Sequence, residues 1–137
     1  ICCEWICANT SKKPTLIFLH EGLGSIGQWR DLPAVLGSIS GFDVLVFDRF
    51  GHGCSARLPP PYLRPLKYFQ LEAESTIPDL LDKFDITEAI LVGHSDGATI
   101  AILASTLGDN RIRAVIAVEQ SCWPWRRAGP PIVVQFD

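Results

Sequence analysis

The sequence of 137 residues predicts an α/β fold, a mostly parallel β-sheet with helices on both faces. Four short runs are apolar, rich in β-branched residues and nearly continuous, as strands buried on both faces are. Segments with apolar residues at helical spacing lie between these runs, and strands that alternate with helices form parallel βαβ units. The composition, 47% hydrophobic and 20% charged, is that of an ordinary globular protein, and the length predicts one domain.

The strands and helices are expected to alternate along the chain. The predicted strands are 15–19, 44–47, 89–92 and 114–118. Apolar residues recur at helical spacing over 29–39 and 69–84, and residues 97–107 are small and apolar nearly all round. Pro78 predicts a kink or a break in the second helix, because proline lacks the N–H that a helix interior needs. Residues 57–65 hold four of the ten prolines and are predicted to form a surface loop.

Charge and composition exclude several classes of partner. The net charge is −3, so neither nucleic acid nor an anionic membrane surface is expected as a partner. No apolar run approaches the ~20 residues of a membrane span, and no signal-peptide pattern is present. These features predict a cytoplasmic protein and say nothing of its oligomeric state.

The five cysteines show no zinc-binding spacing. Their number is odd and their positions are irregular, so we expect reduced thiols in a cytosolic protein. A disulfide or a soft-metal site in the cluster of Cys2, Cys3 and Cys7 stays open.

A serine flanked by glycines follows the third predicted strand. Residues 93–97 read Gly-His-Ser-Asp-Gly and precede the small-residue helix. This is the nucleophile-elbow pattern, in which the turn is too tight for a side chain at either flanking position. It predicts Ser95 as a covalent nucleophile, with the backbone N–H of Asp96 as one oxyanion donor. A junction that needs the glycines for packing alone is the alternative.

A glycine-rich loop follows the first predicted strand. Residues 20–25 read His-Glu-Gly-Leu-Gly-Ser, and a parallel sheet would bring them close to Ser95. We expect Leu23, or a neighbour, to offer a second N–H to the oxyanion. His20, Gly22 and His94 are candidates for substrate binding, although His94, as the variable residue of the elbow, is expected to point away from substrate.

The same loop also matches a dinucleotide-binding pattern. Gly22, Gly24 and Gly27 form G-x-G-x-x-G after a strand, and Asp48 ends the next strand, where it would hold a ribose hydroxyl. However, Glu21 would repel a pyrophosphate, and this interpretation leaves the pentapeptide at 93–97 unexplained. It is the weaker alternative.

Three motifs in order make the chain resemble the first part of a serine α/β-hydrolase. They are the loop at 20–25, the sequence Asp-Arg-Phe-Gly-His-Gly-Cys-Ser at 48–55, and the elbow at 93–97. The forms H-E-G-L-G-S and G-H-S-D-G are similar to those of a bacterial carboxylesterase-like group. The resemblance covers about residues 14–119 and leaves 120–137 as an unmatched tail.

The resemblance implies a partial α/β-hydrolase fold, a single truncated domain over 1–137. The later strands, the cap and the catalytic histidine would be missing, because His20, His52 and His94 all precede Ser95 and none matches the base. Glu119 is a candidate for the acid, with capping of the strand end as its alternative role, and Asp137 is a second candidate. His52 is expected to be structural. Without later strands, residues 114–118 are expected to form an unprotected sheet edge and to make the chain poorly soluble.

The predicted function is hydrolysis of a carboxylic ester or a related acyl bond in a small-molecule substrate, with no cofactor and no metal. The chain alone, as a fragment lacking its base, is expected to be inactive. A non-catalytic truncated relic, or a binder of small ligands on the same partial fold, is the alternative from another class.

Overall fold

A six-stranded sheet forms the centre of the molecule in a computed structural model, which describes residues 1–8, 12–118 and 132–135. The order across the sheet is β1-β3-β2-β4-β5-β6. The strands are β1 (Cys2–Ile6), β2 (Lys12–Leu19), β3 (Phe42–Asp48), β4 (Ala89–His94), β5 (Ile112–Val118) and β6 (Ile132–Gln135).

The four predicted strands form the parallel core of this sheet. β3, β2, β4 and β5 run parallel to one another, whereas β1 and β6 pair antiparallel with β3 and β5. Leu19 at the end of β2 lies opposite both Phe47 of β3 and Gly93 of β4. The loops that follow these three strands therefore meet at one edge of the sheet.

Alternate residues of the strands enter two separate hydrophobic layers. One layer contains Ile17, Leu45 and Leu91, together with the helices that follow β3 and β4. The other contains Phe18, Val46 and Trp29, and the ring of Trp29 meets that of Phe18 edge to face at 5.0 Å. Burial on both faces explains why these strands read as continuous apolar runs.

Helices cover both faces, as the sequence predicts. They are α1 (Leu32–Ser40), α2 (Tyr68–Leu71), α3 (Ile77–Lys83) and α4 (Asp96–Ser105). None of the helices in the described part of the chain is long and apolar enough to cross a membrane. The helical region is interrupted, as expected, but before Pro78 rather than at it: Glu72–Thr76 is a π-helical turn between α2 and α3, and Pro78 lies in the first turn of α3, where its missing N–H costs no helical hydrogen bond.

The first strand was not predicted, and it carries a disulfide. Cys2 of β1 is bonded to Cys54, in the loop after β3. The expectation of reduced thiols is therefore wrong for this pair, while Cys3 and Cys7 are free. The strand escaped prediction because its sequence, Cys-Cys-Glu-Trp-Ile, lacks the continuous apolar character of a buried strand. Cys122 lies outside the described residues.

The predicted open edge at 114–118 is not present. Residues Ala114–Ala117 of β5 pair with β6, in the register Ala114 to Gln135 and Ala117 to Ile132. The expectation of poor solubility rested on that open edge, so its physical basis is removed.

Candidate active site

Ser95 occupies the sharp turn between β4 and α4. Its backbone has φ 52° and ψ −112°, and residues other than glycine seldom adopt a positive φ of this kind. Its N–H donates to the carbonyl of Val118 at 2.9 Å, which fixes the turn against the end of β5. The residue that follows, Asp96, is the first of α4, so the turn delivers Ser95 directly to a helix N-terminus.

Glycine is required on both sides of Ser95. A Cβ at Gly93 would lie 2.5 Å from the backbone of Ala98, and one at Gly97 would lie 2.5 Å from the carbonyl carbon of Leu19. These separations are far shorter than real contacts of carbon atoms. The close approach of Gly97 to Leu19 also brings the loop after β2 against the elbow.

Several backbone amides of the loop at 20–25, among them those of Gly22 and Leu23, have no acceptor among the residues that the structure describes. The N–H of Glu21 donates to Gln28 Oε1 at 3.3 Å, and the N–H of Gly24 donates to the Glu21 carbonyl at 3.2 Å. In the described part of the chain, no hydrogen bond uses the N–H of Gly22 or of Leu23. A Cβ at Gly22 would lie 2.5 Å from Asp96 Oδ2, so the loop faces the elbow at this point.

Tyr68, which belongs to none of the sequence motifs, contacts the elbow. Its hydroxyl donates to Asp96 Oδ2 at 2.5 Å. Burial, together with this hydrogen bond to a carboxylate, raises the pKa of Tyr68 to about 12. The phenol therefore stays protonated and holds the Asp96 side chain from the α2 side.

His20 is not placed to bind substrate. It is fully buried, its Nδ1 lies 2.7 Å from the Glu21 carbonyl, and its Nε2 accepts from the N–H of Arg49 at 2.9 Å. Both ring nitrogens are thus used by the backbone, Nδ1 as the donor. Burial lowers the pKa of His20 to about 4, which keeps the ring neutral. The side chain ties the loop after β2 to the end of β3.

His94 and His52 have different neighbours. The Nδ1 atom of His94 lies 3.3 Å from Gln28 Nε2, and its ring lies 6.3 Å from that of Trp29. The Nε2 atom of His52 lies 2.7 Å from the Gly22 carbonyl, and its Nδ1 lies 2.7 Å from Arg64 Nη2. His52 therefore contacts the glycine-rich loop directly.

Two buried charged side chains lie beneath this region. Arg49 is fully buried and donates from Nη2 to the Glu21 carbonyl at 2.8 Å. Glu72 is buried in the π-helical turn, and its Oε1 lies 3.7 Å from Arg64 Nη1. Burial lowers the pKa of Arg49 and raises that of Glu72. The negative charge of Glu72 raises the pKa of Arg49, and the positive charge of Arg49 lowers that of Glu72, so each charge partly offsets the effect of burial on the other. Sequence reasoning missed Arg64 and Glu72, since neither belongs to a motif.

The structure opposes the dinucleotide interpretation. The Asp48 carboxylate is buried and accepts from the N–H of Ile26 at 2.7 Å and of Cys54 at 2.8 Å, so it is not available to a ribose. The glycines lead into a single 3₁₀ turn, Ile26–Trp29, rather than into an α-helix. The glycine-rich loop therefore does not itself begin an α-helix whose N-terminus would receive a pyrophosphate, as the dinucleotide pattern requires. Glu119 and Asp137, the candidate acids, lie outside the described residues.

One group of metal-ligand side chains occurs in the described part of the chain. The ligand atoms of Cys2, Asp48 and Cys54 lie within 4.8 Å of one another. The two sulfurs are bonded to each other, and the Asp48 oxygens accept backbone hydrogen bonds. With its donors used in this way, the group offers no ligand set.

Comparison with known proteins identifies the same fold. A family model described as the alpha/beta hydrolase fold matches residues 14–137. The chain is 25% identical over 116 residues to "Abhydrolase domain-containing protein C22H12.03" of Schizosaccharomyces pombe, covering 85% of this chain and 40% of that protein. It is 28% identical to "sn-1-specific diacylglycerol lipase ABHD11" of Xenopus tropicalis, covering 79% of this chain and 32% of that protein.

Solved structures show the same architecture. A probable hydrolytic enzyme from Pseudomonas aeruginosa superimposes with a TM-score of 0.72 at 23% identity, covering 85% of this chain and 35% of that one. The chain thus spans about a third of the length of this enzyme and between 32% and 40% of the two relatives named above.

Proposed function

The chain belongs to the α/β-hydrolase family, and from this premise we propose that Ser95 is the nucleophile of an enzyme that hydrolyses carboxylic esters or related acyl bonds. The observation that carries the proposal is the backbone of Ser95, a non-glycine residue at φ 52° between a buried strand and a helix N-terminus. Such a conformation persists only where surrounding structure enforces it, and it concentrates at active sites. The name of the Xenopus relative, a diacylglycerol lipase, supports an ester of a small molecule as the substrate class.

The proposed reaction uses the Ser95 hydroxyl and two backbone amides. Oγ attacks the carbonyl carbon of the ester while a base takes the hydroxyl proton. The carbonyl oxygen becomes an oxyanion, which accepts hydrogen bonds from the N–H groups of Leu23 and Asp96. The ester C–O bond then breaks, the base returns its proton to the departing alcohol, and water hydrolyses the acyl-serine by the same steps.

We propose that the base and its carboxylate partner lie outside residues 1–137. The ring nitrogens of His20 are both used by the backbone, and those of His52 face Arg64 and the Gly22 carbonyl. Neither ring is therefore open to take a proton from Ser95. On this proposal residues 1–137 are part of one α/β-hydrolase domain and carry its nucleophile and oxyanion donors.

The test is ester hydrolysis by the full natural protein that contains these residues. With p-nitrophenyl esters, Ser95→Ala is expected to lower kcat by about 10⁴–10⁶-fold and to abolish labelling by a fluorophosphonate probe. Ser105→Ala is the matched control, because the Ser105 hydroxyl lies on the same helix and donates to the Ile102 carbonyl. Activity that survives Ser95→Ala would refute the proposal.

The isolated 137-residue chain gives a second readout. Because the base is proposed to lie elsewhere, this chain is expected to show no Ser95-dependent turnover. Turnover that Ser95→Ala removes would place the base within these residues. If the full protein neither hydrolyses esters nor reacts with the probe, the alternative of a non-catalytic relic or small-ligand binder stands.

A further inference from the structure

We propose that His52 is a positioning residue that orients the peptide carrying the Leu23 N–H, and thereby the oxyanion site. This inference rests on the proposed function. It concerns a side chain that the reaction above does not use, in the loop between β3 and α2. The ring of His52 lies between Arg64 and the glycine-rich loop, and it stands edge to face against His20 at 4.8 Å.

The contacts of His52 fix which nitrogen carries the proton. Nε2 lies 2.7 Å from the Gly22 carbonyl, and a carbonyl oxygen can only accept, so Nε2 carries a proton and donates it to this bond. Arg64 Nη2 lies 2.7 Å from Nδ1 and 3.4 Å from Nε2, so the guanidinium lies against the ring. The His52 ring thus links Arg64 to the glycine-rich loop.

The Gly22 carbonyl and the Leu23 N–H belong to the same peptide unit. That unit is planar and trans, so its N–H points away from the side on which its carbonyl accepts a hydrogen bond. By holding the carbonyl, His52 sets the direction of the Leu23 N–H. The neighbouring amides of Glu21 and Gly24 are already used by Gln28 and by the Glu21 carbonyl, whereas the Leu23 N–H has no acceptor among the described residues and can receive a ligand.

Arg64 is itself held from several sides. Its Nη2 donates to the Phe50 carbonyl at 2.5 Å, and its guanidinium carbon lies 5.2 Å from the centre of the Tyr68 ring. Glu72 Oε1 faces its Nη1 at 3.7 Å. Tyr68 in turn donates to Asp96 at the elbow. Residues 64–72 therefore contact both parts of the site: Arg64 reaches the glycine-rich loop through His52, and Tyr68 binds the elbow directly.

The same contacts argue against His52 as the catalytic base. Taking a second proton would put N–H groups on both ring nitrogens, and the Nδ1–H would then oppose the Arg64 donor.

A residue that orients a donor is expected to affect the transition state more than substrate binding. Loss of a whole oxyanion donor costs about 10²–10³ in kcat, so loss of its orientation is expected to cost roughly 10–100-fold.

The kinetic test uses the full natural protein with three variants. His52→Leu replaces the donor with an apolar side chain of similar bulk, and it is expected to lower kcat roughly 10–100-fold with KM within about twofold. His52→Gln keeps an N–H at similar reach and is expected to restore most of kcat. Glu88→Gln, in an exposed turn at the opposite end of the sheet, is the control. A rise in KM alone, or equal loss in Gln and Leu variants, would overturn the proposal.

A spectroscopic test does not depend on activity. Nitrogen-15 spectra of the imidazoles are expected to show His52 with its proton on Nε2 and scalar coupling across the hydrogen bond to the Gly22 carbonyl. His52→Leu is expected to shift the Leu23 amide resonance, and His52→Gln to shift it less. A proton on Nδ1, or an unmoved Leu23 amide, refutes the positioning role even where Ser95-dependent hydrolysis is present. Absent hydrolysis with these spectral signs would refute the proposed function alone.

Discussion

The backbone of Ser95 holds a conformation that costs a non-glycine residue about 1–3 kcal/mol. The glycines at 93 and 97 explain how the chain tolerates it, because the turn closes so tightly that their Cβ positions are filled by the backbone of Ala98 and Leu19. The need for both glycines was predictable from the pattern Gly-x-Ser-x-Gly. The role of His20 was not, because the sequence gives no sign that its two ring nitrogens are taken by backbone groups of Glu21 and Arg49.

The neutral, buried ring of His20 predicts a dependence of stability on pH. Its pKa is about 4 in the folded chain and near 6.5 when unfolded, so between these values the unfolded chain binds more protons. Stability from this residue is complete above about pH 6.5 and is lost as the pH falls towards 4. The loss is on the order of 2–3 kcal/mol.

Urea unfolding between pH 4 and 7 measures this effect. His20→Gln removes the titrating group, so the free energy of unfolding is expected to depend less steeply on pH in the variant than in the parent chain. The difference in slope isolates His20 from the carboxylates that titrate in the same range. Equal slopes, or a ring that titrates near pH 6.5 in the folded protein, would contradict the burial of a neutral His20.

At the level of elements, the helical region from α2 to α3 was predictable in extent and only partly in form. The apolar spacing over 69–84 and the position of Pro78 predicted an interrupted helix. The interruption is the π-helical turn Glu72–Thr76, which ends one residue before Ile77, the first residue of α3. A π-turn at this point carries the buried Glu72. No propensity in the sequence distinguishes such a turn from a simple kink.

β1 was missed because it has one neighbour strand and a mixed sequence. It pairs antiparallel with β3, and Trp5 stacks on Phe84 at the end of α3 with ring centres 5.4 Å apart. β1 is also attached by the disulfide from Cys2 to Cys54, which closes a long loop with a sequence separation of 52. A covalent link of this length restricts the unfolded chain strongly.

Reduction of this disulfide is therefore expected to destabilise the fold. The expected loss in the free energy of unfolding is about 2–4 kcal/mol, by the entropy of closing a loop of this length. Urea unfolding with and without dithiothreitol gives the measurement, and Cys54→Ser is expected to reproduce the reduced value. Cys7→Ser, at an exposed free cysteine, is the matched control. A parent chain whose midpoint is unmoved by the reductant would show that the link adds nothing.

For the molecule as a whole, the parallel core was predictable and its two edges were not. Strands that are buried on both faces have nearly continuous apolar sequences, so β2, β3, β4 and β5 could be located from the sequence. The site contacts outside the motifs could not be, because they join residues far apart in the chain, such as Tyr68 with Asp96. Which residues form these contacts depends on how residues 64–72 pack against the glycine-rich loop and the elbow. The spacing of residues along the chain does not determine that packing.

The antiparallel edge at β6 decides how much of the sheet is protected. Because β6 pairs with β5, the amides of β5 that face it are expected to exchange with solvent nearly as slowly as those that face β4. β1 and β6, at the edges, are expected to exchange faster than β2 and β4, which have neighbours on both sides. Native-state hydrogen exchange, read amide by amide, tests this order.

Two variants at one exposed position sharpen the test. Val133 lies opposite Ile116, is 62% exposed, and adds little to the core. Val133→Pro is expected to disturb the pairing of β6 with β5, because proline fixes φ near about −65° and has no N–H. A loss of about 1 kcal/mol in this pairing would speed exchange of the β5 amides facing β6 by roughly fivefold. Val133→Thr keeps a β-branched side chain and the N–H, so exchange is expected to stay as in the parent chain. If β5 already exchanges rapidly there in the parent, β6 does not pair in solution and the prediction of an open edge at 114–118 is restored.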